Sequence, residues 1–226
     1  MELRISYVFT FLLLLFSCTN SKSVSYNSFE GIIKYSVSFD EGDRSKPAYY
    51  YDYIKQKYGD VALYHFKANG DFLRTYPYSG DKGVDFYLYK NDTKNFYAKW
   101  RNIDTLFYYN VTENMLQFTK EETGKSEIIL GEQCSFYKIS GIDTVGGQQV
   151  TQTYHFSGKP YIDPSLYEGY NDFFFSKIIK KTKSPFLKLI LDMNYYKLEF
   201  TAKKIEEKEL EDGLFKIPTG IPLKKY

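Results

Sequence analysis

The 226-residue chain carries 30 lysine and arginine residues against 28 aspartate and glutamate residues, a net charge of +2. This balance gives no electrostatic case for a nucleic-acid partner, which would require a strongly basic surface. Aromatic residues make up 19% of the chain, mainly 24 Tyr and 19 Phe, and such side chains favour the half-buried surfaces of β-strands.

The first element is an apolar run from Ile5 to Phe16, followed by Ser17 and Cys18. A membrane-spanning helix needs about 20 apolar residues, whereas this run has the length of the hydrophobic region of a signal peptide. A small residue before a cysteine is typical of bacterial lipoproteins, in which the cysteine is acylated and begins the mature chain. We therefore expect residues 1–17 to be a lipoprotein signal peptide and Cys18 to be lipidated. The alternative is an ordinary secretory signal with a chance cysteine.

The segment that follows is polar and is expected to form a flexible tether over residues 18–28. A lipoprotein cysteine carries more than one acyl chain, and several chains anchor a protein stably where one is marginal. The expected partner is therefore a membrane, reached through the anchor at Cys18. Residues 29–226 contain no second apolar run of membrane length and are expected to form a single β-rich domain.

Apolar and polar residues alternate through most of the remaining chain, and a period of two is typical of β-strands. The pair Asn69-Gly70 separates two alternating segments and is the strongest short signal for a hairpin. Strands follow turns without helices between them, which predicts a mostly antiparallel sheet. The predicted strands are 33–39, 61–67, 72–76, 84–89, 96–101, 105–111, 115–119, 127–130, 134–140, 150–156, 187–192 and 195–205.

Two segments depart from this alternation. The run Tyr49–Tyr53 is ambiguous between an edge strand and a loop after Pro47. Further on, Asp172 can cap a short helix that ends before Pro185. Its apolar face is predicted to comprise Phe174, Phe175, Ile178 and Ile179. This helix either packs on the sheet, forms a lid over a pocket or touches a membrane, and the first two alternatives are compatible.

Few residues indicate catalytic chemistry. His65 and His155 lie on different predicted strands, and neither has a histidine, cysteine or carboxylate at metal-ligand spacing. With Cys18 acylated, Cys134 has no disulfide partner, and it is either a buried thiol or a nucleophile. The sequence therefore predicts no metal site, no cofactor and no enzymatic activity. An unrecognised hydrolase would need convergent polar groups around one of the two histidines.

Three short motifs, each present once, lie near the start, in the middle and near the end of the chain: Phe-Glu-Gly-Ile-Ile-Lys-Tyr at 29–35, Ile-Leu-Gly-Glu-Gln-Cys-Ser-Phe-Tyr at 129–137 and Phe-Lys-Ile-Pro at 215–218. This layout resembles a group of periplasmic and outer-membrane lipoproteins of Bacteroidota, which are similar to lipoprotein carriers of the LolA/LppX type. The resemblance implies a mainly β (α+β) fold. That fold is a single curved antiparallel sheet, an incomplete half-barrel, with one or two short helices on its concave side.

The same resemblance bears on location and modification. The segment directly after Cys18 lacks acidic residues, which favours the periplasmic face of the outer membrane over the cell surface. Bacteria of this group O-glycosylate periplasmic proteins at Asp, then Ser or Thr, then an apolar residue. Thr105, after Asp104, and Thr144, after Asp143, match that pattern and are the expected sites.

Two functional hypotheses follow. The leading one is a non-enzymatic lipoprotein of the cell envelope whose concave sheet binds an apolar ligand, a lipid or an acyl chain. The alternative is an interaction or glycan-binding lipoprotein that uses exposed aromatic residues, with an envelope protein as its partner. A sheet interior without a cavity would favour the alternative.

Overall fold

A computed structural model describes residues 27–42 and 46–226, so the signal peptide, Cys18 and most of the tether lie outside the described residues. The described chain is mainly β and contains one sheet with two α-helices. The strands are β1 (Gly31–Asp40), β2 (Val61–Phe66), β3 (Phe72–Thr75), β4 (Val84–Lys90), β5 (Asn95–Trp100), β6 (Leu106–Asn110), β7 (Leu116–Ile129), β8 (Glu132–Asp143), β9 (Gln149–Phe156), β10 (Lys188–Asp192), β11 (Lys197–Glu207) and β12 (Leu223–Lys225). The helices are α1 (Ala48–Tyr58) and α2 (Phe175–Thr182), and 3₁₀ turns lie at Pro164–Tyr167, Asp172–Phe174 and Asp212–Phe215.

The strands lie in the order β12-β6-β5-β4-β3-β2-β1-β11-β10-β9-β8-β7, and the sheet does not close into a barrel. Neighbouring strands are antiparallel except β12, which runs parallel to β6. The predicted open, mostly antiparallel sheet is therefore confirmed, and β12 makes it a mixed one. The hairpin at Asn69-Gly70 is also confirmed, since it joins β2 to β3.

One face of the sheet, called the inner face, carries both helices and the main core. On β1, for example, Ile33, Tyr35 and Val37 are buried on this face. A smaller cluster on the opposite face contains Leu73 and Leu88, and Leu210 and Phe215 of the C-terminal segment cover it. The alternation in the sequence thus places a large aromatic core on one face and a small one on the other.

Hydrogen bonds to the carboxylate of Glu30 connect the C-terminal segment to the sheet. Glu30 Oε1 accepts hydrogen bonds from the Leu210 backbone N–H at 2.7 Å and from Lys67 Nζ at 2.9 Å. Its Oε2 accepts from the Ala68 backbone N–H at 3.1 Å. Glu30 therefore joins the start of β1, the β2–β3 turn and the chain after β11.

The Tyr49–Tyr53 run forms neither a strand nor a loop, because it lies within helix α1. Pro47 precedes the helix with φ −60°, and Gly59 ends it with φ 64°. Tyr51 and Ile54 are buried and are three residues apart, which is a helical spacing. Four tyrosines among these five residues concealed this spacing in the sequence.

Two other predictions differ from the structure in detail. Strands predicted at 115–119 and 127–130 are one strand, β7, with register shifts after Phe118 and Lys125. Its middle is exposed and polar on both sides, so no alternation marked it. Asp172 does not cap α2: it lies in the preceding 3₁₀ turn, where its Oδ1 accepts from the Phe173 backbone N–H at 3.0 Å.

Candidate functional site

Helix α2 covers part of the inner face. The predicted helical spacing holds for Phe175, Ile178 and Ile179, whereas Phe174 lies in the 3₁₀ turn before α2. All four of these predicted apolar residues are buried. The Phe175 ring centroid lies 5.3 Å from that of Tyr167, 4.6 Å from that of Tyr170 and 5.7 Å from that of Phe72. The underside of α2 therefore rests on an aromatic surface.

The chain bends sharply at both ends of α2. Phe173, Phe174 and Lys183 have φ values of 50°, 58° and 52°, in the left-handed region that non-glycine residues rarely adopt. Such residues each cost of order 1 kcal/mol and concentrate at ligand clamps and switch regions. At the first bend, Gln152 Nε2 donates to the Phe173 carbonyl at 3.0 Å. Helix α2 is thus a short helix between two strained bends.

A cation lies on the inner face where the strand alternation calls for an apolar residue. Arg74 of β3 lies two residues after Phe72 and two before Tyr76, which directly follows the strand. It stands directly opposite Tyr64 of β2 and Tyr87 of β4. The guanidinium carbon of Arg74 lies 4.7 Å from the Phe72 ring centroid and 4.9 Å from that of Tyr64. These distances are those of cation–π contacts.

Arg74 is surrounded by neutral groups. The guanidinium hydrogen-bonds with the Tyr64 side chain, but its Nε is buried and has no hydrogen-bond partner. Among the described residues no ion pair includes Arg74. Burial lowers the pKa of the guanidinium, but interactions with the surrounding tyrosines raise this pKa by more than burial lowers it. The group therefore remains charged. Burial raises the pKa of eight nearby tyrosines, and the Arg74 charge opposes that rise: they are Tyr35, Tyr64, Tyr76, Tyr87, Tyr109, Tyr154, Tyr167 and Tyr170.

A cavity of about 20 Å³ lies between Arg74 and α2. Ser184, which follows α2, also lines it, is only 1% exposed and has no partner for its Oγ. The remaining lining is apolar or aromatic: Tyr64, Phe66, Phe72, Tyr154, Phe175, Ile179, Pro185 and Phe186. We call this the Arg74 cavity.

Beside the Arg74 cavity, some inner-face side chains remain partly exposed to solvent. Neighbouring ring centroids lie 5.4 Å apart between Tyr58 and Tyr76, 5.8 Å between Tyr76 and Tyr87, and 5.4 Å between Tyr87 and Phe96. Tyr58, Tyr87 and Arg74 keep partial exposure. This row of rings extends from α1 past the cation.

A larger cleft, of about 510 Å³, opens at another end of the sheet. Phe29, Leu187 and Ile205 supply apolar walls, and Glu132 and Glu207 lie among its polar ones. It is open to solvent and half polar. The cleft contains neither of the unpartnered polar atoms of the Arg74 cavity.

The histidines lie away from the Arg74 cavity. His65 is buried, with Nδ1 unpartnered, on the strand face opposite that of Tyr64. His155 Nδ1 shares a hydrogen bond with Ser126 Oγ, but its Nε2 is buried without a partner. A serine nucleophile needs a base that a third group orients, and the described residues supply no such group at His155.

Cys134 and the two threonines occupy contrasting places. Cys134 is 1% exposed, and burial raises the pKa of its thiol, as in a structural cysteine rather than a nucleophile. Thr105 precedes β6 and is partly exposed, and Thr144 is exposed in the β8–β9 turn. Both expected O-glycosylation sites are therefore at the surface.

Neither a metal-binding group of three or more side chains nor a helix suited to crossing a bilayer occurs in the part of the chain that the structure describes. Arg74 and Ser184 were not identified from the sequence. One signal was present: Phe72, Arg74 and Tyr76 alternate on one strand face, and a charged residue between two aromatic ones is unusual for a core position.

No protein-family model matches the chain, and no curated protein matches it.

Proposed function

We propose that this protein is a membrane-anchored, non-enzymatic lipoprotein of the bacterial cell envelope that binds an apolar ligand, a lipid or an acyl chain. The ligand lies on the inner face of the sheet beneath α2. One observation carries the proposal: α2, held between strained bends, covers an aromatic cavity, and two of the residues that line it have unpartnered polar atoms. Cys18 provides the anchor, at the periplasmic face of the outer membrane.

The cavity volume determines how binding occurs. About 20 Å³ accommodates one water molecule, whereas ligand sites measure about 300–1,000 Å³. A nearly filled interior is the result that would favour the alternative function, so the proposal requires in addition that α2 moves away from the sheet to admit the ligand. The strained bends at Phe173 and Lys183 are the points at which such a movement would begin.

A binding experiment tests this function. Every strand pairing and core contact described above involves residues after 26, so a chain beginning at residue 19 retains them all. We expect that chain to co-purify with lipid, detected by mass spectrometry of an organic extract, and to bind a fluorescent fatty acid. Ile179→Asn places an amide in the cavity wall and should weaken binding, whereas Lys180→Asn alters an exposed neighbour and should not. Failure of both assays with a folded chain would refute the proposal.

A second candidate function rests on a different surface. Tyr49 and Tyr53 lie one helical turn apart on the outside of α1 and are 75% and 43% exposed. Tyr226 is 79% exposed, and Lys57 lies near both Tyr53 and Tyr226. Exposed tyrosines of this kind suit a glycan or an envelope protein. Cross-linking in intact cells and a glycan array would show binding that Tyr49→Ser and Tyr53→Ser reduce.

A further inference from the structure

We propose that the ligand beneath α2 is an anionic amphiphile, whose carboxylate or phosphate group binds Arg74 and Ser184. This inference rests on the proposed function and adds the chemical class of the ligand. Its basis is that the residues lining one aromatic cavity include a cation without a counter-charge and a hydroxyl without a hydrogen-bond partner.

The surroundings of the Arg74 charge differ from those of other poorly exposed cations in the described chain. Lys67 pairs with Glu30, and Lys90 pairs with Asp71. Lys99 donates to the carbonyl oxygens of Trp100 at 2.8 Å and Ile103 at 2.6 Å. Arg74 has only aromatic rings and neutral hydroxyls around it. Cation–π contacts offset part of the cost of burying a charge, but they supply no counter-charge.

The unpartnered hydrogen-bonding atoms point to the same conclusion. Within the described residues, four buried side-chain atoms lack a partner, and two of them belong to residues that line the Arg74 cavity: Arg74 Nε and Ser184 Oγ. The Arg74 Nε–H can only donate, and a serine hydroxyl can donate as well. An anionic oxygen group accepts from both at once, and guanidinium groups match carboxylate and phosphate geometry.

A single water fits the closed cavity and would satisfy hydrogen bonds there. It would leave the charge of Arg74 uncompensated, since water is neutral. An anionic headgroup supplies both the acceptors and the charge. When α2 moves, the rings of Phe66, Phe72 and Phe175 become available to the apolar chain.

Photo-labelling of the full chain in membrane vesicles tests the inference. The probes are diazirine derivatives of palmitic acid, hexadecyl phosphate and hexadecanol, which share an apolar chain and differ in headgroup. Cross-linked peptides are mapped by mass spectrometry. We expect the acid, the phosphate or both to label inner-face peptides at concentrations about tenfold lower than the alcohol does, because a charge-assisted hydrogen bond contributes that much.

Three variants assign the preference to these side chains. Arg74→Gln should abolish the preference for the anionic probes, whereas Lys34→Gln removes an exposed charge on the other face of the sheet and should retain it. Ser184→Ala makes a smaller change to the core and should reduce the preference about threefold, which keeps the test valid if Arg74→Gln fails to fold.

The outcomes separate the two proposals. Equal labelling by the alcohol and the anionic probes, or a preference that survives in both Arg74→Gln and Ser184→Ala, would overturn the anionic headgroup and leave the proposed function intact. Absence of inner-face labelling by every probe would overturn both. Labelling confined to α1 peptides would also overturn both and would support the second candidate surface.

Discussion

The ring of Phe174 packs directly on Gly141 of β8, so closely that a Cβ atom at residue 141 would lie 2.9 Å from the ring. The same Cβ would lie 2.9 Å from the Gln117 carbonyl oxygen of β7. The absence of a side chain at Gly141 therefore permits the observed position of Phe174 at the start of α2. Lys177 reinforces this position, because its Nζ lies 2.6 Å from Glu121 and 4.0 Å above the Phe118 ring.

Gly141→Ala should loosen α2, because the added methyl group displaces Phe174. We expect faster hydrogen exchange at 173–183 and an unchanged rate in β2 and β3, measured by mass spectrometry. Gly213→Ala is the control, since a Cβ at residue 213 meets nothing within 4 Å. Equal exchange at 173–183 in both variants would mean that Phe174 does not hold the helix closed.

Arg74→Met should not destabilise the protein. The substitution removes a charge that no carboxylate compensates and keeps an unbranched apolar chain. We expect a free energy of unfolding that is unchanged or about 1 kcal/mol higher, a Tm increase of up to about 4 °C for a chain of this size. Ile33→Ala, at a fully buried core position, should by contrast lose about 2–5 kcal/mol.

A loss from Arg74→Met as large as that from Ile33→Ala would contradict this account. It would show that the cation–π contacts of Arg74 are a main source of stability. The residue would then have a structural role rather than a binding one.

Glu30 should make the stability depend on acid pH. Burial raises the pKa of this carboxyl, but hydrogen bonds from Leu210, Lys67 and Ala68 outweigh burial and hold the pKa below 4.5. Because the folded pKa is lower than the unfolded one, the stabilisation is present above about pH 4.5 and is lost as the pH falls through the folded value. Glu30→Gln should therefore cost about 1–3 kcal/mol at neutral pH.

The measurement is urea unfolding of both proteins from neutral pH to pH 3. The difference between them should shrink as the pH falls. Glu209→Gln, at an exposed position without an ion pair among the described residues, serves as the control. A difference that persists unchanged at pH 3 would show that the Glu30 charge contributes nothing.

Cys18→Ser should release the protein from the membrane, because no acyl chains can then be attached. Cell fractionation should move the variant from the outer membrane to the soluble fraction, and its intact mass should lack the lipid. Cys134→Ser changes a thiol that is 1% exposed and should remain in the membrane. Membrane retention of unlipidated Cys18→Ser would exclude Cys18 as the anchor.

Much of the sheet could be predicted because strand alternation is a local property. Ile33, Tyr35 and Val37 mark the inner face without reference to any other strand. The spacing of Phe175, Ile178 and Ile179 likewise predicts α2. Helix α1 is not evident from the sequence because a run of tyrosines shows no apolar period. Only the structure shows that two residues at helical spacing, Tyr51 and Ile54, are the buried ones. The edge strand β7 was divided in two because an edge exposed on both faces needs no alternation.

The candidate site depends on tertiary contacts and could not be predicted in the same way. Ser184 and Arg74 are far apart in the sequence, and their shared cavity arises only when α2 folds back over β3. Pairing between strands likewise places Arg74 opposite Tyr64 and Tyr87. The sequence of a single strand indicates only that Arg74 occupies an unusual position between Phe72 and Tyr76.

The most direct test of the central claim is the distance between α2 and the sheet, with and without ligand. Spin labels at exposed positions 181 and 34 report this distance by electron–electron dipolar spectroscopy, and buried Cys134 does not compete for the label. A pair at positions 125 and 34, both in the sheet, is the control. Because the closed cavity is too small for an acyl chain, palmitic acid should lengthen the 181–34 distance and leave the 125–34 distance unchanged. Binding of palmitic acid with an unchanged 181–34 distance would contradict the account.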